Sequence, residues 1–154
     1  MKSKKFRPLC EDVFRFLIDE FGCHVESRDQ REYADCITYK NKTTAIIIMY
    51  EIYEERVRTL LCRLVDGKIP PYPLFVRPDT VLNQFDLLDL VKIKDQKLFN
   101  KLLSQEGKEV LSETIMEHAT ALRKYGRDII RGNFSDFKKL EAVVKKRANN
   151  QGEE

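Results

Sequence analysis

Arg31-Glu-Tyr-Ala-Asp-Cys-Ile-Thr-Tyr-Lys40, Thr43-Thr-Ala-Ile-Ile-Ile-Met-Tyr-Glu-Ile-Tyr53 and Arg56-Val-Arg-Thr-Leu-Leu-Cys-Arg-Leu-Val65 follow one another in the chain, and their reading decides the fold. In the first, Tyr33, Ile37 and Tyr39 alternate with Ala34, Cys36 and Thr38, the period-two pattern of a strand. The second is rich in β-branched and aromatic residues, and its unbroken apolar run from Ala45 to Tyr50 covers both faces, as in a central strand. The third alternates again and stops at Asp66-Gly67. Asn41-Lys42 and the Glu54-Glu55 pair supply the two turns, the first because Asn tolerates positive φ. With a short strand at Cys23 to Ser27, these segments predict an antiparallel meander.

Helices are expected on either side. Cys10, Val13, Phe14, Leu17, Ile18 and Phe21 fall on one helical face, with Pro8 in the first turn and Gly22 at the stop, which predicts a helix over 8–21. Pro70, Pro71, Pro73 and Pro78 stiffen a connector, with an edge strand expected at Leu74 to Arg77. Helices then follow at Thr80 to Val91, Leu98 to Leu103, Lys108 to Arg131 with a kink at Gly126, and from a Ser135 cap to about Ala148, before a polar tail over 149–154. The segregated order of helix, sheet over 23–77 and helices over 80–148 defines an α+β class. It implies one domain of 154 residues with four to five strands and helices on one sheet face.

Composition narrows the function. A formal net charge of +3 is too small to imply nucleic acid or an anionic membrane. The basic N-terminus is followed by charged residues rather than an apolar signal core, and the longest apolar run is far short of a membrane span, so a cytoplasmic protein is expected. Cys10, Cys23, Cys36 and Cys62 form no C-x-x-C pair and read as buried reduced thiols. No phosphate loop, dinucleotide fingerprint, zinc-protease motif or nucleophile elbow occurs, and no cofactor or metal is expected. His118 lies on an apolar helical stripe and reads as a core histidine. His24 adjoins Cys23, but neighbouring strand residues face opposite ways. Lys138, Lys139, Lys145, Lys146 and Arg147 on the closing helix read as a solvated face. Pro70-Pro71-Tyr72-Pro73 reads as a stiff loop.

Two site hypotheses remain. Tyr50, Glu51, Tyr53, Glu54 and Glu55 combine aromatic rings with charge around the second turn, as protein-binding surfaces do. They point to a non-enzymatic protein-binding module that offers a wall for contacts rather than a deep reaction site. The alternative starts from the order helix, three strands, with Asp35 on the second strand and Glu51 near the end of the third. This order resembles the restriction-endonuclease-like fold, and the resemblance implies a metal-dependent or degenerate nuclease with Asp35 and Glu51 on a divalent metal. Here Tyr53 stands where that family has Lys, and a hairpin replaces its helical crossover.

A second resemblance rests on Leu122-Arg-Lys-Tyr-Gly-Arg-Asp-Ile-Ile-Arg-Gly-Asn-Phe-Ser135, followed by Phe137 and Leu140. With the sheet-then-helices layout, this segment resembles immunity-type proteins of bacterial polymorphic toxin systems. That resemblance implies a bacterial cytosolic protein whose partner is a toxin domain. Homo-oligomer formation through an open strand edge or the long helix is a further expectation.

Overall fold

The computed structural model describes residues 2–104 and 111–152. Two helices, α1 (Lys2–Val13) and α2 (Phe16–Phe21), precede the strands β1 (His24–Gln30), β2 (Ala34–Lys40), β3 (Thr44–Glu51), β4 (Arg56–Arg63) and β5 (Gln84–Asp86). Five helices follow: α3 (Leu87–Lys94), α4 (Gln96–Ser104), α5 (Leu111–Tyr125), α6 (Arg127–Ile130) and α7 (Phe137–Gly152). The expected helical start at Lys108 to Val110 and the last two residues of the expected tail lie outside the described residues.

The five strands pair antiparallel in the order β1-β2-β3-β4-β5, so the α+β meander is as read. The register places Tyr39, Ile46, Leu61 and Phe85 in one row across the sheet, and Ile37, Ile48 and Thr59 in the next. All seven are buried on the inner face, where they meet Phe6, Phe14, Leu17, Leu90, Ile115 and Leu122 from the helices. The outer face carries a smaller apolar cluster of Ala45, Leu60 and Cys62, with Ile47 and Met49 beside it. This cluster is why β3 is apolar on both sides. The outward edge of β1 carries a bulge between Val25 and Ser27 and the exposed charges Glu26, Arg28 and Asp29, features that oppose pairing with another strand.

Several boundaries differ from the sequence reading. The first helix begins at Lys2, with Pro8 inside it, and is interrupted after Val13 instead of running unbroken to Phe21. Phe6 explains the early start: it is fully buried and stacks on Tyr50 at 5.8 Å, and burying such a ring is worth about 2–3 kcal/mol, enough to offset the backbone bond that Pro8 cannot make. Gly22 ends α2 at φ +67°, as expected.

No strand forms at Leu74 to Arg77. The fifth strand is Gln84–Asp86, inside the stretch read as helix, because Asp86 is a helix cap: its Oδ1 accepts from the Leu88 N–H at 2.9 Å. Gly126 divides the long helix into α5 and α6, at the position where a kink was expected. The closing helix starts after Asp136, whose carbonyl accepts from the Leu140 N–H, and not from a Ser135 cap; it continues through 149–152.

The β2–β3 turn does not use positive φ at Asn41. Among the described residues, only Glu55, Asp66 and three glycines have it. Asn41 works through its side chain instead. Oδ1 accepts from the backbone N–H groups of Thr43 and Thr44 at 3.0 and 2.9 Å, and Nδ2 donates to the carbonyls of Phe21 and Ile130. The hairpin tip is thereby fixed to the ends of α2 and α6.

Candidate functional site

The pleat separates the residues that the two hypotheses bring together. Asp35 pairs with Tyr50, and Glu51 with Ala34. Asp35 therefore lies on the inner face with Tyr50, while Glu51 lies on the outer face. Asp35 is buried, with Arg7 Nη2 4.0 Å from its Oδ1. Glu51 Oε1 accepts from Arg56 at 2.7 Å. Two carboxylates on opposite faces of a sheet cannot share one metal ion, so Asp35 and Glu51 do not form the divalent site that the nuclease resemblance implies. Among the described residues, no group of three or more His, Cys, Asp or Glu side chains is placed to hold a metal.

The proposed aromatic surface divides in the same way. Tyr50 is buried in the core against Phe6, and Tyr39 is fully buried. Tyr53 is 73 % exposed, beside exposed Glu54 and Glu55, with Glu55 at φ +49°. Tyr33, also exposed, stands at the same end of the sheet, where its carbonyl accepts from the Ile52 N–H. The turn thus offers Tyr53, Glu54 and Glu55, with Glu51 half-buried behind them and Tyr50 facing away.

His118 is a core histidine on α5. Its Nδ1 lies 3.0 Å from Thr59 Oγ1, and burial lowers its pKa from 6.5 to about 4. The four cysteines are free and buried, and burial raises all their pKa values. On α7 the solvated-face reading holds for exposed Lys138, Lys139 and Lys146. Arg147 is exposed too, yet its two terminal nitrogens donate to the two oxygens of buried Asp89 at 3.2 and 3.0 Å. The reading fails for Lys145, which is half-buried and reaches Glu141 and the Pro78 carbonyl.

Two features escaped the sequence reading. The first is a half-open cleft of about 690 Å³ between the outer sheet face and helices α3, α4 and α7. Met49 and Leu60 from the sheet, Leu88 from α3, Phe99 and Leu103 from α4 and Val144 from α7 give it an apolar floor. Arg56, Arg58, Lys92 and Arg147 also line it, with Asp86 and Asp89. Arg58 Nε donates to Asp86 Oδ2 at 3.2 Å. Burial raises the Asp86 pKa, while the Leu88 N–H and Arg58 draw it back. The outer face is therefore not the flat wall expected. The signal was present in Arg56-Val-Arg58-Thr-Leu60, where alternation sends two cations and a leucine to one face.

The second is the exposed apolar pair Leu74 and Phe75 on the connector between β4 and β5, a segment read as stiff. The connector is anchored at both ends. Val65 bridges Lys68 around Asp66-Gly67. At the far end, Arg77 and Thr80 close a turn, Lys145 holds the Pro78 carbonyl, and the Leu82 N–H donates to Glu141. Between these anchors Leu74 is 94 % exposed and Phe75 is 74 % exposed, and Tyr72 of the same segment lines the cleft.

No family model, curated protein or solved structure matches the chain. Among the described residues, no helix is long and apolar enough to cross a membrane.

Proposed function

We propose that this chain is a non-enzymatic, cytoplasmic protein-binding module of the immunity type, which occludes a toxin domain through the connector and the adjoining cleft. One observation carries the reading: Leu74 and Phe75 project into water from a segment stiffened by four prolines and tied down at both ends. Large apolar side chains held that far out stabilise nothing within the chain. Burying each against a partner is worth about 1.5–3 kcal/mol. Because the prolines fix the segment beforehand, little ordering entropy opposes the contact. Tyr53, Glu54 and Glu55 supply a second contact at the β3–β4 turn, where charge governs encounter rate and register more than affinity.

The test is co-expression with toxin-domain proteins encoded beside this chain, followed by calorimetry with wild type and with Leu74→Ser/Phe75→Ser. The double variant is expected to keep the wild-type melting temperature and to lose at least about tenfold in affinity, the loss of about 1.4 kcal/mol that burial of even one of these side chains exceeds. Equal affinity for both proteins would remove the connector from the interface. A mass that rises with concentration in sedimentation, and falls back in the double variant, would assign the patch to a second copy of this chain instead.

A further inference from the structure

We infer that the cleft receives an acidic segment of the protein partner, anchored by one apolar side chain; this rests on the protein-binding reading above. The floor made by Met49, Leu60, Leu88, Phe99 and Leu103 fits an aliphatic or aromatic group. The rim fixes the sign of the charge around it. Four cationic side chains line the cleft; Arg56 is held by Glu51, and Asp86 and Asp89 face the other three, a surplus of one positive charge. The surplus is concentrated at one place. Arg147 is held bidentately by Asp89, and Arg58 by Asp86. Lys92, by contrast, is paired with no carboxylate among the described residues, and its ammonium lies 5.5 Å from the centre of the Phe99 ring. A carboxylate arriving there meets an unspent cation beside apolar side chains, while a basic group meets a like charge and two carboxylates already held by arginines.

The open geometry favours a tethered segment over a free small molecule. A cleft that is half open leaves a small ligand wet on one side, whereas ligand sites generally enclose most of their occupant. A segment of a protein already seated on Leu74 and Phe75 arrives at high effective concentration, because Tyr72 joins connector to cleft.

The probe is a fluorescein-labelled nonapeptide with a Leu-Phe centre flanked by Glu and Asp, compared with the same peptide carrying Lys in place of every acid. Anisotropy titrations use wild type, Lys92→Glu, Arg58→Leu and Leu74→Ser/Phe75→Ser. Lys92 is exposed on α3, so its replacement leaves the fold intact, and Arg58→Leu tests the rim without introducing a negative charge. The acidic peptide is expected to bind wild type, to weaken about three- to tenfold in Lys92→Glu and on adding salt, and to hold within about twofold in the connector variant. The inference is overturned by equal affinity for the two peptides, by indifference to Lys92→Glu and Arg58→Leu together, or by no measurable binding. Should the connector variant lose the toxin-domain partner while Lys92→Glu retains full affinity for it, the cleft assignment fails and the protein-binding reading stands. Should both retain it, cleft and connector alike lie outside the interface; should wild type bind no toxin-domain partner, the protein-binding reading itself fails.

Discussion

Mild acid is expected to destabilise this protein through one imidazole. His118 is buried on α5, its Nδ1 is 3.0 Å from Thr59 Oγ1, and desolvation lowers its pKa from 6.5 to about 4. In the unfolded chain the ring gains a proton as pH falls through 6.5; in the folded protein it stays neutral until about pH 4. Across that window the unfolded state binds more protons, so stability falls as pH falls. Each pH unit costs about 1.4 kcal/mol, giving a loss of about 2 kcal/mol by pH 5 and about 3 kcal/mol by pH 4. Such a loss is a large part of a typical total of about 5–15 kcal/mol.

Urea unfolding at several pH values between about 7 and about 5 measures the loss directly. Glu26, Asp95 and Glu141, held below the usual carboxylate range by His24, Tyr125 and Lys145 respectively, contribute their own acid sensitivity at lower pH. Asp86, whose pKa burial raises, acts with the opposite sign, so the difference between wild type and a His118 variant above pH 5 isolates the histidine. His118→Gln is expected to flatten the profile there. Wild-type and variant profiles that run parallel within about 0.5 kcal/mol would refute the reasoning. If the variant does not fold, the ring protons of His118 in wild type decide the matter: a titration midpoint above pH 6 would show that the imidazole is not desolvated.

Three further outcomes follow from the packing. Asn41→Ala removes an acceptor for two backbone N–H groups and a donor to two carbonyls; it should cost about 2–3 kcal/mol in urea unfolding, and a cost under about 0.5 kcal/mol would show that the hairpin tip is not anchored this way. Gly132→Ala places a Cβ 3.1 Å from Thr43 Cγ2 and Oγ1 at a φ of +95°; a loss of about 1–2 kcal/mol is expected, only part of it recovered in a Thr43→Ala background, because removing the contact leaves the backbone strain. The thiols of Cys23 and Cys62, raised to about 11 and about 12 by burial, together with buried Cys10 and Cys36, should resist iodoacetamide in the native protein and react on unfolding in urea. A native thiol alkylated as fast as the unfolded chain would contradict their placement.

The sequence made the sheet legible because its signals are local and repeated. Alternation marked β2 and β4, and the continuous apolar run marked β3 as central, now explained by the Ala45–Leu60–Cys62 cluster on its outer side. What escaped were choices that depend on distant partners. Phe6 lies outside the stripe that begins at Cys10, yet Tyr50, far along the chain, draws it into the core. Gln84-Phe85-Asp86 is too short to show a period, and becomes a strand because Leu61 and Phe85 pair while Asp86 caps α3. The Asp35 and Glu51 error has a different source. The carboxylates were placed on the correct strands, but their facing depends on register, and register sets which of two neighbours turns inward.

The same dependence on distant partners governs the ionisable groups of the cleft. Asp86 has the profile of a functional acid, a carboxyl in a cleft with its pKa raised by burial. Both of its oxygens, however, are already engaged, Oδ1 by the Leu88 N–H at the start of α3 and Oδ2 by Arg58 across the β4–β5 edge. Moving its proton would loosen the cap and the sheet edge together. Asp89 is equally committed, spanning to Arg147 and tying α3 to α7. The acids of this cleft hold its walls in place, and the cation left over, Lys92, sits on the open rim where a partner's charge can reach it. Both acids of the cleft are thus fixed in structural pairs, and Lys92 is the lining cation that no described carboxylate holds.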